Sequence, residues 1–375
     1  MEDGAPARWI LPTGVAALAA VVVLVATRSD PMLSADSLTY LSAAEQLREL
    51  NGYNDFTGEA LAHFPPVFPA LLTIGGRSLV WASLVGAASA AIVAGLFTAL
   101  VAARVRRSVA VVAGVLVALS QAAVWVASNV WSETLFLALA LLTMTILGRP
   151  GLGTGDAALG GVVAALGFLT RYSGVGLVLT GLVMVVVVSL PTSSQTAVRR
   201  GAAYLAAPVT LGLMWMVRNL WATREPLGPH FEGGAGESAA RLLDRLAESV
   251  GRLVVDVDGS GTSMEVVGYP VVIGVIVLSV AVLVWRRDDV LDVGMAVFAL
   301  TAIAVPVFSR VFAGTHIEAR IMSPLLIPIV WFFARAVDRY AHRRLAVGAA
   351  ALVALWSVAA GAIVARDFPD RLPAS

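Results

Sequence analysis

No cysteine occurs in this chain, and no lysine: all 26 basic residues are arginine. Without thiols the fold has no disulfide, no thiolate metal site and no Cys nucleophile. Charge of either sign is scarce, at 14% of residues against 58% hydrophobic, where an ordinary soluble domain carries about 25% charged residues. A soluble fold must cover itself with polar groups, so a core alone does not absorb this excess. The formal net charge of +1 points to no nucleic-acid partner, and none is expected. No internal repeat is visible. The opening "MEDGAPARWILPTG" lacks the basic leader of a secretory signal, so the first apolar run reads as retained.

What fills the chain is apolar runs of about 17–25 residues, each long enough for a bilayer core of about 30 Å. They predict an all-α polytopic membrane protein, a single integral membrane domain over 1–375. Its eleven helices are expected near 9–27, 79–101, 109–127, 133–148, 157–170, 174–190, 202–221, 269–285, 293–309, 321–335 and 345–365. The pair 157–170 and 174–190 could be one kinked segment, although about 34 residues are too many for a single crossing.

Arginines in short loops set the expected orientation. Arg104, Arg106 and Arg107, then Arg199 and Arg200, Arg286 and Arg287, and Arg335, Arg339, Arg343 and Arg344 fall on one side, taken as cytoplasmic together with the N-terminus. The long segments 28–78 and 222–268 then face the outside of the cytoplasmic (inner) membrane, and the working face is expected there.

The first of these segments contains "SADSLTYLSAAEQLREL". Leu38, Leu41, Ala44 and Leu47 recur at helical spacing and Asn51-Gly52 supplies a stop, which predicts an amphipathic helix on the membrane surface. Asp36 stands at its start, either as an N-cap or as a chemical group. Downstream, "AHFPPVFP" holds one of four histidines and three prolines in five residues. Pro65-Pro66 cannot continue a helix, so the chain turns rigidly and fixes His63 close to the bilayer.

Polar groups inside spans are costly and usually functional or snorkelling. On the expected topology they collect on the same outer face as Asp36 and His63. Glu133 begins the fourth span, and Arg171 and Tyr172 lie in the turn between the fifth and sixth. Arg218 and Asn219 are near the end of the seventh, Arg310 ends the ninth, and His316, Glu318 and Arg320 precede the tenth. Singly, each arginine reads as interfacial and Glu133 as a helix-start carboxylate. Jointly they supply one base, a second acid and several planar guanidinium forks suited to phosphate.

The ordered set "ADSLTYLSAAEQL", "HFPPVFPALL", "SETLFL", "LTRYSGVGLVL", "VRNLWATREPLG" and "EARIMSPLLIP", over about 36–328, resembles the GT-C superfamily of membrane glycosyltransferases. Within it the pattern is similar to the family 39-like group of protein O-mannosyltransferases and aminoarabinose transferases. The chain departs from the mannosyltransferase pattern at two places: Asp36-Ser37 stands where Asp-Glu is common, and Phe64 separates His63 from Pro65. The resemblance implies inverting transfer of a hexosyl or pentosyl unit from a polyprenyl-phosphate donor to a hydroxyl of a cell-envelope glycan, lipid or protein. It implies Asp36 as general base; His63, Arg171, Arg218 and Arg320 on the donor phosphate; and Glu133 orienting sugar hydroxyls or a metal. Tyr40, Tyr172, Asn219, His316 and Glu318 would support them. A divalent ion, Mg or Mn, is left open; the Asp256/Asp258 pair in "VDVDGSG" fits a polar loop better than a metal site. A lipid or small-solute transporter and a non-catalytic envelope-glycan assembly factor are the alternatives.

Overall fold

The computed structural model describes residues 7–227, 237–254, 264–285 and 289–340. The expected eleventh helix at 345–365, Arg286, Arg287, Arg343, Arg344, Asp256 and Asp258 lie outside the described residues. Among the described residues regular structure is entirely helical, with only isolated bridges between extended segments.

The chain opens with α1 (Ala7–Ala26). The first outer segment follows, with α2 (Ala35–Arg48) and the short α3 (Val67–Leu72). Helix α4 (Leu79–Ala102) starts where Ser78 accepts a hydrogen bond from the Trp81 N–H, one of the orphan donors of a helix start. The expected helix over 109–127 is instead two, α5 (Arg107–Leu119) and α6 (Gln121–Ser128), bent by 43°. The break falls at Ser120, whose backbone is extended (φ −60°, ψ 139°) and whose hydroxyl caps the second helix at Ala123.

Then come α7 (Glu133–Leu147), α8 (Thr154–Phe168), α9 (Val175–Ser189) and α10 (Ser194–Thr223). Helices α8 and α9 are separate, joined by a tight turn through Arg171 and Tyr172. Helix α10 crosses α8 closely, since a Cβ at Gly161 would lie 2.0 Å from the Tyr204 carbonyl. Small residues permit such approach where lipid offers no hydrophobic drive between helices. The remainder is α11 (Ala239–Val254), α12 (Glu265–Trp285), α13 (Val290–Ala313), the four-residue α14 (Ala319–Met322) and α15 (Leu326–Tyr340).

Among the described residues six helical segments are long and apolar enough to cross a membrane, or seven when the bent α5–α6 pair is one span; α7 and α8 are shorter apolar helices. One continuous apolar core runs through α4, α5, α7, α9, α13 and α15. At the end of the bundle holding the α4–α5 turn, acidic partners meet the arginines. Arg104 pairs with Asp289 at 2.6 Å, Arg106 with Asp338 at 2.7 Å and Arg335 with Asp292 at 2.6 Å. The buried Asp292 also accepts from the Trp331 indole at 2.8 Å. These pairs clamp the α4–α5 turn to α13 and α15. The opposite end carries the candidate site.

Candidate active site

The site begins at the start of α2. The helix cap is Ser34, whose hydroxyl accepts the Ser37 N–H at 3.2 Å. Asp36 therefore sits inside the first turn with its carboxylate released from capping. It meets the Arg320 guanidinium at 2.6 Å, across most of the sequence. The buried face of α2 differs from the expected one. Ser37, Tyr40, Ala43 and Ala44 are buried, whereas Leu38 is 54% exposed. The helix packs against α3 and the start of α7 rather than lying flat on one apolar stripe, so its buried face follows those partners.

Helix α7 supplies the second part. Glu133, its first residue, is only 1% exposed. One carboxylate oxygen pairs with Arg171 at 2.7 Å and the other has no hydrogen-bond partner. Ser132, fully buried, accepts from Arg171 at 3.1 Å and shares a 3.0 Å hydrogen bond with the Tyr40 hydroxyl. Burial raises the Tyr40 pKa above its ordinary value of 10, against the opposing pull of Arg171. The phenol thus stays protonated and serves as a hydrogen-bonding group. Trp131 lies under Arg320, its ring centroid 5.0 Å from the guanidinium carbon. Glu318, half exposed, approaches the other edge of Arg320 at 3.2 Å.

His63 borders this cluster. Its ring packs on Phe64 at 4.4 Å, and Phe64 packs on Tyr40 at 4.6 Å. Burial lowers the His63 pKa below 6.5, opposed by the charges of Asp36 and Asp55, so the ring is neutral at pH 7. The residue inserted between His63 and Pro65 is thus a packing residue that joins the rigid turn to α2. The turn itself is held from below, since the Tyr53 hydroxyl donates to the carbonyls of Phe64 (2.9 Å) and Pro65 (3.1 Å). The Val67 N–H donates to Leu169 O at 2.9 Å.

Tyr172, Arg218 and Asn219 form a separate group. Arg218 donates to the carbonyls of Leu61 (2.5 Å) and Tyr53 (2.9 Å) and lies against the rings of Tyr53 and Trp215. Tyr172 donates to Ala62 O and accepts from Trp215 and from the buried Asn219, both at 3.0 Å. Together these side chains fasten the first outer segment to α10. His316 is exposed on the loop before α14. Replacing Arg218 by alanine is expected to release residues 53–62, and hydrogen exchange there should rise by about tenfold while the membrane helices stay protected. Unchanged exchange would show that Arg218 does not hold the segment.

The second outer segment enters through Glu237, which bridges Arg310 (2.8 Å) and Arg245 (2.7 Å). Those two hydrogen bonds lower its pKa. Ser249 of α11 donates to Ile317 O at 3.2 Å, next to the strand of chain that carries Arg320. Among the described residues no three His, Asp or Glu side chains converge on a metal position.

Chemically, the cluster is two guanidinium groups, each beside a carboxylate, at one end of an apolar bundle. No family model matches the sequence, and no curated protein does. Solved structures do. The chain is similar to ArnT from Cupriavidus metallidurans bound to undecaprenyl phosphate, with TM-score 0.62 and 16% identity over 96% of this chain and 65% of that one. The apo state of ArnT gives TM-score 0.63 and 15% identity over 99% and 66%. The oligosaccharyltransferase of Archaeoglobus fulgidus, in complex with Zn and sulfate, gives TM-score 0.52 and 13% identity over 94% and 52%.

The chain has the fold of ArnT. The chain spans 65–66% of the length of the two ArnT structures and 52% of the oligosaccharyltransferase. At these identities the likeness is one of fold. Within that fold, sequence reading overlooked Ser34, Tyr53, Trp131, Ser132 and Trp215. Ser132 opens a motif already singled out, "SETLFL", and Trp131 directly precedes it. A Trp-Ser pair directly before an acidic helix start was the available signal, because both side chains can bond across a helix end. Ser34, Tyr53 and Trp215 gave no such signal.

Proposed function

We propose that this protein is an inverting membrane glycosyltransferase that moves a hexosyl or pentosyl unit from a polyprenyl-phosphate donor to a hydroxyl of a cell-envelope glycan, lipid or protein. The observation that carries the reading is the 2.6 Å pair between Asp36 and Arg320, with the Arg171–Glu133 pair beside it. A carboxylate next to guanidinium groups at a bundle end is what transfer from a lipid phosphate requires. One group takes the acceptor's proton, and the others stabilise charge on the departing phosphate.

In this reading Asp36 is the general base. Arg320 and Arg171 bind the phosphate, with His63 as a neutral hydrogen-bonding neighbour. Glu133 orients sugar hydroxyls, and Tyr40 and Glu318 support the arginines. Arg218, with Tyr172 and Asn219, serves the donor indirectly by holding the outer segment over the site; His316 belongs to the rim. The protein is a multi-pass protein of the cytoplasmic membrane, with the N-terminus inside and the site facing out. The likeness to a structure holding undecaprenyl phosphate supports the donor class.

The test is to incubate the purified chain with labelled polyprenyl-phosphate sugars and envelope acceptors. Transfer that depends on Asp36 supports the reading. Solute uptake into vesicles without transfer would make the protein a transporter, and neither activity would make it an assembly factor.

A further inference from the structure

The reading above rests on Arg320, yet little in its own backbone holds that side chain in place. It belongs to α14, a four-residue helix between a loop and a 3-10 turn. The position of its guanidinium is therefore set by what it lies against. In the plane of the group, Nη1 meets Asp36 and Nε approaches Glu318. Its central carbon lies over the Trp131 ring, 5.0 Å from the centroid.

Trp131 is itself tightly fixed. It is 7% exposed, its indole N–H donates to Ser34 Oγ at 2.8 Å, and its ring meets Trp125 edge-on at 4.9 Å and 89°. The backbone beneath it pairs with the extended segment leading into α2, through Met32 N to Ser128 O at 3.1 Å and Val130 N to Met32 O at 3.4 Å. One side chain thus joins the cap of the helix that carries Asp36 to the guanidinium that Asp36 meets. An indole is the aromatic surface that best attracts a cation. That attraction acts through the π surface and uses none of the N–H donors an anion would need.

We infer that Trp131 is a positioning residue for phosphate recognition: it holds Arg320 in register with Asp36 and so confers the preference for a phosphorylated polyprenyl ligand over the corresponding alcohol. The inference rests on the donor class proposed above.

The experiment measures binding of undecaprenyl phosphate and of undecaprenol to the purified full chain in detergent micelles, for wild type, Trp131→Phe and Trp131→Leu. Leucine removes the π face and should weaken undecaprenyl phosphate by about tenfold or more, leaving undecaprenol unchanged. Phenylalanine keeps a weaker face without the N–H, and should weaken the phosphate ligand by about threefold. A merely structural role would weaken both ligands in proportion, and that result overturns the inference, as does a wild-type preference in both variants. Should Trp131→Leu fail to fold, the phenylalanine variant decides, since an unchanged preference there also overturns it. A wild-type protein with no preference for the phosphate would instead overturn the donor class itself.

Discussion

Asparagine at Asp36 is expected to abolish transfer while leaving the lipid phosphate better bound. The loss of rate should be about 10²–10⁴-fold, the ordinary contribution of a positioned general base. The gain in binding follows from the 2.6 Å pair. While Asp36 is charged, a phosphate oxygen must compete with it for Arg320, and a neutral amide competes far less. Opposite changes in two readouts make the variant informative. The helix start is spared, because Ser34 supplies the cap and Asp36 does not. Loss of a folded α2 therefore cannot account for a lost rate. Rates of labelled-sugar transfer and affinity for undecaprenyl phosphate, measured on the same preparation, check the result. Full activity in the variant would assign the base elsewhere, and weaker phosphate binding in parallel with lost rate would make Asp36 a support for Arg320 alone.

The largest effect on stability is expected from Arg171→Leu. It would leave Glu133, 1% exposed, without its cation. Breaking a buried pair from one side typically costs about 3–5 kcal/mol, because an uncompensated charge stays behind. Here about 3 kcal/mol is expected, since Glu133 is the first residue of α7 and keeps the helix N-terminus and the charge of Arg320 as partners. Arg171 also bonds Ser132, so part of the loss comes from that hydrogen bond. Adding Glu133→Gln to the same chain removes the charge and should restore roughly half of the lost stability. Thermal unfolding of the single and double variants in detergent measures both. A double variant no more stable than Arg171→Leu alone would show that the stranded carboxylate is not the cause.

How much of this was legible beforehand depends on the kind of information each residue needs. Val and Leu runs announce helices because apolar length is a local property, and α4, α7, α9 and α12 fall close to where those runs predict. The break at Ser120 was not legible. A Ser inside an apolar run is neutral until the backbone beyond it bends, and the bend is set by how α5 and α6 pack. Asp36 was legible as a polar group at a helix start, but not as an uncapped one, because Ser34 and Asp36 are both ordinary caps. The polar residues at the span ends separate into two groups that sequence order does not reveal. Arg171 and Arg320 turn toward carboxylates, while Arg218 turns toward the carbonyls of an irregular segment. A guanidinium accepts either partner equally well, so only its neighbours decide.

Sequence alone determined that this chain is a helical membrane protein with its polar chemistry at helix ends, because hydrophobic length and the cost of buried charge act on each segment separately. The tertiary structure alone decided which charge meets which: Asp36 with Arg320, Glu133 with Arg171, and Trp131 beneath the first of these pairs. Those contacts join segments more than a hundred residues apart in the case of Asp36 and Arg320. They depend on angles and distances that arise only when the whole bundle has packed.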